Sequence, residues 1–486
     1  MTKQWNANYV RDFSPLFVGR AGELERLSEL RRTPRASLAI LRGRRRIGKS
    51  RLAVELARRF SRSYVFTGLA PTDGVTAALQ RKEFARQLQR ELGVPSPAPN
   101  DFGDLFAHLA HHTRRGSVLI VLDEISWLGA KDPTFLPKLK TAWDLQFSNN
   151  PKLVMILAGS VSTWIEANIL SSTGFVGRIS LDLRLAELPL PACAAFWGSH
   201  AEHVSAYEML KVLAITGGVP RYLEEVIPTD TAEQNIERLC FRREGLLFGE
   251  FDRIFSDLFS RRAPTYRAIV ERLAQGSADA AGIYEALGVQ KGGITSAYLD
   301  DLCEAGFVAR DYTWSLQSGN ESRLSKYRLS DNYLRFYLRY IAPNRRRIER
   351  GSYRLPRNWH SILGLQFESL VLHNRARLQR LLRIEPSQIV YDGPFFQRKT
   401  RRRRGCQIDY LIQTRFDTLY LCEIKFHKSA VGASVIDDVH EKMRRLSTPR
   451  RCSVRPVLIH VNGVTDEVTD SEEFAAIIDY STLLRD

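Results

Sequence analysis

The sequence predicts an α/β chain: a parallel-sheet core, then a helical segment, then a small unit of helices with a two-stranded hairpin, and last a second α/β unit. Three observations carry this. From Leu16 to about Leu190 short apolar strands alternate with amphipathic helices, the pattern of a parallel sheet. A glycine-rich segment, residues 43–50, lies between the first of those strands and the helix after it. Beyond Trp359 a helix is followed by three further apolar strands.

At 486 residues the chain exceeds one core and suggests about three domains. Lys and Arg number 71 against 54 Asp and Glu, a net charge of +17, which favours polyanionic partners, nucleic acid above all. The six cysteines (Cys193, Cys240, Cys303, Cys406, Cys422, Cys452) have no Cys-x-x-Cys spacing and no histidine at ligand spacing. This argues against zinc and for free thiols in a reducing compartment. The polar start lacks a signal core, and the longest apolar runs, 118–122 and 153–158, fall far short of the ~20 residues of a membrane helix. The expectation is a cytoplasmic protein with no membrane partner.

Taken in order, residues 37–41 form a buried strand that enters the glycine loop, and 49–60 form the next helix. Residues 118–122 and 153–157 are two more buried strands, and the proline-rich stretch 95–99 is a loop. After Pro191 helical periodicity takes over, through 207–216 and 231–244. A third unit begins near Arg262, with helices at 266–273, 281–287 and 294–305 and strands at 306–312 and 326–329. Three short helices and a β-wing are the arrangement of a winged helix, whose third helix would enter a major groove. Thr295, Ser296 and Tyr298 would then contact phosphates or base edges, although Asp300, Asp301 and Glu304 on that helix repel phosphate. A basic face made of Lys291, Arg310, Arg323, Lys326 and Arg328 is the alternative, as is a protein-docking role. The last unit opens with a helix at 365–382, followed by strands at 407–413, 419–426 and 455–461.

Residues 43–50 fit G-x-x-x-x-G-K-[ST]. Gly43 and Gly48 let the backbone wrap a phosphate chain, and the loop N–H groups with the helix N-terminus supply the anion site. Lys49 reaches the β- and γ-phosphates and Ser50 ligates magnesium; Ile47 and Arg51 flank them. Asp123 ends the apolar strand where a side chain meets that metal. Glu124 follows it, placed to polarise an attacking water.

Side chains alternate along the strand at 419–426. Tyr420, Cys422, Ile424 and Phe426 share one apolar side, whereas Glu423 and Lys425 point together from the other with Leu419 and Leu421. Asp409 lies beside them on the preceding strand of a hairpin, and Glu368 on the helix after Gly364 adds a further group. Hard oxygen ligands of this kind suit Mg²⁺ or Mn²⁺. Metal and lysine together would activate water and stabilise charge on a phosphodiester. The run Arg401, Arg402, Arg403 and Arg404 precedes Asp409, where it could guide a phosphate backbone.

Phe17, Val18, Gly19 and Arg20, then Glu23 and Leu24, the glycine loop, Leu122-Asp123-Glu124, Ala158-Gly159-Ser160 and residues 216–220 (TGGVP) occur in that order. The chain thereby resembles prokaryotic (archaeal-type) ATPases of the AAA+/STAND lineage that carry a winged helix and a restriction-endonuclease-like domain. Asp409, Glu423 and Lys425 resemble the PD-(D/E)xK nucleases, with Ile408-Asp409 in place of their Pro-Asp. The resemblance implies a P-loop AAA+-type ATPase core at 14–190, a helical lid at 191–258, a winged helix at 259–345 and a nuclease-like domain at 355–486. It places Val18 and Gly19 near adenine, Ser160 in the polar sensor position, Pro220 where the lid meets the base, and Arg178 as a sensor of the γ-phosphate. ATP and Mg²⁺ are the implied cofactors, with Mn²⁺ an option at the nuclease site. Glu124 is the expected catalytic base for ATP; Glu368, Asp409, Glu423 and Lys425 form the expected nuclease site, with Glu368, Asp409 and Glu423 on its metal. DNA is the expected partner, RNA a further one, and the ATPase domain offers a homo-oligomer surface. The expected function is an ATPase whose nucleotide state regulates a metal-dependent deoxyribonuclease. The alternatives are an ATP-dependent DNA-binding switch with a silent nuclease-like domain, and a docking scaffold.

Overall fold

Alternate residues of the first sheet's strands feed two different cores. In β1 (Ser37–Arg42), β3 (Val118–Asp123) and β4 (Leu153–Gly159), Leu38, Ile40, Ile120, Leu122, Met155 and Leu157 pack on one face with Phe84, Phe102, Phe106 and Phe135. Ala39, Leu41, Val121, Val154 and Ile156 pack on the other with Leu52 and Leu56 of α1 (Lys49–Ala57) and with helix Ala21–Glu29. Helices therefore cover both faces, as a parallel sheet requires. The computed structural model describes residues 17–70, 72, 74–160, 162–259, 263–290, 292–401 and 404–485. The positions of Leu16, Arg262, Lys291, Arg402 and Arg403 lie outside the described residues. The chain forms two compact units, one of Met1–Ala186 with Ser256–Ser260 and one of Glu187–Phe255 with Arg261–Asp486.

The first unit's sheet is fully parallel in the order β2-β3-β4-β1-β5, with β2 at Arg62–Thr67 and β5 at Ile179–Arg184. Three of these strands were expected from their apolar runs. The other two are the edges, where charged residues interrupt the apolar pattern. The helix expected to reach residue 60 ends at Ala57.

In the second unit, helices Ala206–Thr216 and Ala232–Cys240 fall within the segments where helical periodicity predicts them, the second ending at Cys240 rather than at residue 244. The first of them packs with the C-terminal part, where Tyr207 stacks on Phe426 with ring centres 5.1 Å apart, and beyond the second the Tyr333 hydroxyl donates to the Leu247 carbonyl at 2.7 Å. Helices α2 (Ala263–Ala274), α3 (Ala280–Leu287) and α4 (Gly293–Glu304) precede an antiparallel hairpin of β6 (Val308–Trp314) and β7 (Glu321–Leu329). The expected outward reach of α4 is corrected in part. Thr295 is buried and Tyr298 packs edge-on against Tyr266, so both are turned toward the helix packing.

The last part holds a mixed sheet in the order β12-β11-β10-β9-β8. Its strands are β8 (Ile389–Gln397), β9 (Cys406–Thr414), β10 (Thr418–Ile424), β11 (Ser453–His460) and β12 (Ala476–Asp479). β8, β9 and β10 are antiparallel neighbours; β10, β11 and β12 run parallel. The single helix expected at 365–382 is two, α5 (Leu363–His373) and Arg375–Leu381. Asn374 breaks it by turning its amide onto the Leu370 carbonyl at 2.9 Å and accepting from Leu190 N–H at 3.3 Å. Helix α6 (Ser434–Arg445) follows β10. Among the described residues no cysteine is in a disulfide, and no helix is long and apolar enough to cross a membrane.

Candidate functional site

In the first unit the glycine loop leaves β1 and opens α1. Gly43 has φ 149° and lies so close to the Leu185 carbonyl that a Cβ would sit 2.7 Å from that oxygen. Gly48, at φ 94°, supplies the left-handed turn that starts α1. Arg20, nearly fully buried, donates to the Ile47 carbonyl at 3.1 Å and to the Ala186 carbonyl at 2.6 Å, clamping the loop from behind. The sequence motif around Gly19 contains Arg20, but this clamping role depends on a fold contact and carries no local signal.

Because β4 lies between β1 and β3, the residue after β4 falls between the glycine loop and Glu124. Ser160 takes that place. Its hydroxyl accepts from Lys49 Nζ at 2.9 Å and donates to Glu124 Oε1 at 2.8 Å. Lys49 Nζ also donates to the carbonyls of Gly43 (2.9 Å) and Arg44 (3.1 Å). Burial lowers the Lys49 pKa, against the pull of Glu124 and Asp123. Ser50 Oγ donates to Asp123 Oδ2 at 2.8 Å, so a hydroxyl and a carboxylate converge as oxygen donors that fit a hard divalent cation. Glu124 has φ 49°, a strained conformation for a non-glycine residue and of the kind found at functional sites. Ile47 is buried beneath the loop and Arg51 lies on the first turn of α1. Arg178 forms a forked pair with Asp144 at 2.6 and 2.9 Å. Val18 is half-buried and Gly19 exposed beside the clamp, while Pro220 belongs to the second unit.

The second cluster forms on β9 and β10. Tyr410 pairs with Cys422, which puts Asp409 beside Glu423 across the antiparallel pair. Glu423 is 3% exposed. Its carboxylate meets Lys442 at 2.5 Å and Lys425 at 3.1 Å, and Lys442 also reaches Asp409 at 3.4 Å. Lys425 pairs outward with Asp438 at 3.0 Å. For both lysines burial lowers the pKa, but the carboxylate charges outweigh it and the net shift is upward. Burial raises the Asp409 pKa against the pull of Lys442. Lys442 and Asp438 were not foreseen. A signal for Lys442 does exist: Val435, Val439 and Lys442 follow i, i+4, i+7 spacing, and the two valines are buried. The oxygen donors of Asp409, Glu423 and Glu368 suit a hard cation, which would have to displace the Lys442 ammonium. Among the described residues no group of three or more His, Cys, Asp or Glu is close-set enough to hold a metal ion as it stands.

Glu368 is presented by α5, which buried Arg335 anchors by donating to the Leu365 carbonyl at 3.1 Å and to Gln366 Oε1 at 2.5 Å. Arg328, expected on a basic outer face, instead forks onto Asp311 at 2.9 and 3.3 Å. Burial first, and then the Asp409 charge, push the Glu368 carboxyl up to about 7. An unfolded glutamate titrates near 4.3. Between those values the folded chain holds a proton that the unfolded chain has released. Stability from neutral Glu368 is therefore complete below about 4.3 and is lost as pH rises through about 7. In chelator, the second unit's unfolding midpoint is expected to fall between about pH 4.3 and 7, and Glu368→Gln to flatten that fall. An equally steep fall in Glu368→Gln would place the proton elsewhere.

A glycine loop on β1, Asp123 and Glu124 at the end of β3 and Ser160 after the intervening β4 define a P-loop ATPase core of the AAA type. Residues 32–163 match the AAA domain family, so the first unit carries an ATP-binding AAA-type ATPase domain. Along its length the chain is similar to MJECL04, an uncharacterized protein of Methanocaldococcus jannaschii, at 25% identity over 388 residues, 79% of this chain and 82% of that one. Solved structures similar to it include the Walker-type ATPase PABY2304 of Pyrococcus abyssi, with TM-score 0.49, 18% identity and coverage of 66% of this chain and 96% of that one. The Aeropyrum pernix ORC2 protein is another, with TM-score 0.42, 14% identity and coverage of 77% and 98%.

Proposed function

We propose that this chain is an ATPase whose nucleotide state regulates a metal-dependent nuclease acting on DNA, the nuclease lying in its C-terminal α/β part. The observation that carries the reading is the cluster of Asp409, Glu423, Lys425 and Lys442, with Glu368 nearby, in which Glu423 is buried and the other four are half-buried. Drawing so many charges partly out of water is costly without a chemical use. In this reading 14–190 is the P-loop core, 191–258 the lid, 259–345 a winged helix and 355–486 the nuclease-like domain.

At the ATP site Lys49 holds the β- and γ-phosphates, and Ser50 and Asp123 hold Mg²⁺. Val18 and Gly19 lie by the adenine, Pro220 brings the lid to the base, and Arg178 senses the γ-phosphate. Glu124 orients the attacking water and takes its proton, with Ser160 holding the carboxylate in place. Glu124→Gln is expected to keep ATP binding and slow turnover by about 10²-fold or more. Unchanged steady-state hydrolysis would move the base elsewhere.

At the second site Asp409, Glu423 and Glu368 would hold Mg²⁺ or Mn²⁺, which supplies an activated water and charge neutralisation at the phosphorus. Lys425 stabilises charge on the phosphodiester oxygens. The +17 net charge supports a nucleic-acid substrate. A matrix of metal against nucleotide, run on single-stranded, duplex and branched DNA and on RNA, tests the reading. Cutting by the wild type that Glu423→Gln abolishes is the expected result; cutting untouched by it sinks the nuclease.

The Lys442 bridge favours a second reading, because an internal ammonium already neutralises both carboxylates. In that reading the domain binds nucleic acid under ATP control and does not cut it. Salt-sensitive binding with no scission under any metal would select it.

A further inference from the structure

The hairpin of β6 and β7 is not a freestanding wing. Trp314 and Leu316 lie in one apolar core with Ile408, Leu411 and Leu421 of the C-terminal sheet. Trp314 Nε1 donates to Gln413 Oε1 at 2.7 Å, Gln413 Nε2 to the Leu316 carbonyl at 2.9 Å, and Thr313 Oγ1 to the Phe396 carbonyl at 2.8 Å. A hairpin held this way cannot swing into a duplex groove. It forms one wall of a cleft whose other wall is the sheet and the end of α6.

That cleft has two lobes, of about 770 and 480 Å³, which share Phe396, Gln397 and Arg398. The larger runs past Arg450 and Arg451; the smaller passes Lys326 and Arg445 and reaches Lys442, the lysine on Asp409 and Glu423. Six cations line the two lobes, with Glu441 the one acid among the described lining residues. Three of them pair at the surface, Arg398 with Asp279 at 3.3 Å, Arg445 with Glu441 at 2.6 Å and Arg451 with Asp417 at 2.9 Å. Exposed pairs of this kind are weak, so a phosphate can replace the carboxylate at little cost. The aromatic residues of the cleft, Trp314, Phe395 and Phe396, are all buried and leave no open face for base stacking. The cleft therefore suits a sugar–phosphate backbone rather than bases.

We infer that a nucleic-acid strand lies in this cleft, its phosphates held by Arg398, Arg450, Arg451 and Lys326, and runs to the Lys442 end where the carboxylates stand. The inference rests on the nucleic-acid reading above and adds the path of the strand. It makes recognition independent of sequence and places it at the hairpin–sheet junction rather than on α4.

The test is binding by the full chain, in chelator so that cutting plays no part, to labelled single-stranded DNA, duplex DNA and RNA at salt between about 50 and 200 mM. Substituting Arg398→Gln, Arg450→Gln and Arg451→Gln together is expected to weaken binding about tenfold or more. It should also flatten the log–log salt slope by about 2 on single strands or about 3 on duplex. Photo-crosslinking of a strand to the wild-type chain should label residues 313–317 or 447–451, a readout that does not depend on the variant folding. An unchanged slope, labelling confined elsewhere, or no binding of any strand by the wild type would overturn the cleft. So would an equal loss from Arg346→Gln, Arg350→Gln and Arg354→Gln together, which would make bulk charge the cause. Loss of binding in the cleft variant alongside a wild type that never cuts keeps the cleft and removes only the nuclease.

Discussion

Lys49→Ala is expected to abolish the stabilisation of the first unit by ATP while leaving its stability without nucleotide nearly unchanged. The ammonium is buried and donates to the Gly43 and Arg44 carbonyls and to Ser160. Removing it relieves the desolvation that lowers its pKa but leaves those acceptors unsatisfied, and the two effects offset. The phosphate contact has no such compensation. Hydrogen bonds from a charged group are worth about 1.5–3 kcal/mol each, so losing one or two weakens binding by roughly 100-fold. At a ligand concentration about 100 times the wild-type Kd, binding stabilises by about 2.7 kcal/mol; a 100-fold weaker variant keeps only about 0.4 kcal/mol. For a unit of this size that is a melting shift of roughly 5–10 °C reduced to about 1 °C. A thermal-shift titration with ATP and Mg²⁺ reads it directly, and a full shift in Lys49→Ala would remove the loop from nucleotide binding.

Glu423→Ala is expected to cost both cutting and stability, and the two must be separated. Glu423 lies against Lys442 and Lys425 in a buried setting. Deleting one partner of a buried pair costs about 3–5 kcal/mol, and because Lys442 keeps Asp409 and Lys425 keeps Asp438 the loss falls at the low end of that range. The second unit of Glu423→Ala should therefore melt well below wild type, and its inactivity alone would prove little. Glu423→Gln keeps the shape and one acceptor oxygen, although Lys442 and Lys425 meet different oxygens of the native carboxylate and only one of them retains its partner. Its stability loss should be smaller, while loss of a charged metal ligand worth several kcal/mol lowers cutting by about 10²–10³-fold. Melting curves and a strand-scission assay on both variants settle the assignment. A folded Glu423→Gln that cuts at the wild-type rate would sink it.

The first site was legible because its chemistry is local. Gly43, Gly48, Lys49 and Ser50 are one loop, and Asp123 and Glu124 end an unbroken apolar strand. The edge strands β2 and β5 were not legible. Their one-sided burial admits Arg62, Asp182 and Arg184, which break the apolar run that marks the inner strands. β8 was hidden by Gly393 and Pro394 inside it, a pairing that an edge strand with an irregular register tolerates. Asp409, Glu423 and Lys425 were legible from period-2 alternation and hairpin order.

Residue order along the chain was thus enough for the ATP loop, its carboxylates and the carboxylate–lysine strand, since each is set by neighbours a few positions apart. The insertion of β4 that brings Ser160 between Lys49 and Glu124, the Lys442 bridge from α6, and the fusion of the hairpin to the C-terminal sheet arise otherwise. Each depends on elements packing across tens of residues, where burial and charge pairing choose partners that no local pattern names.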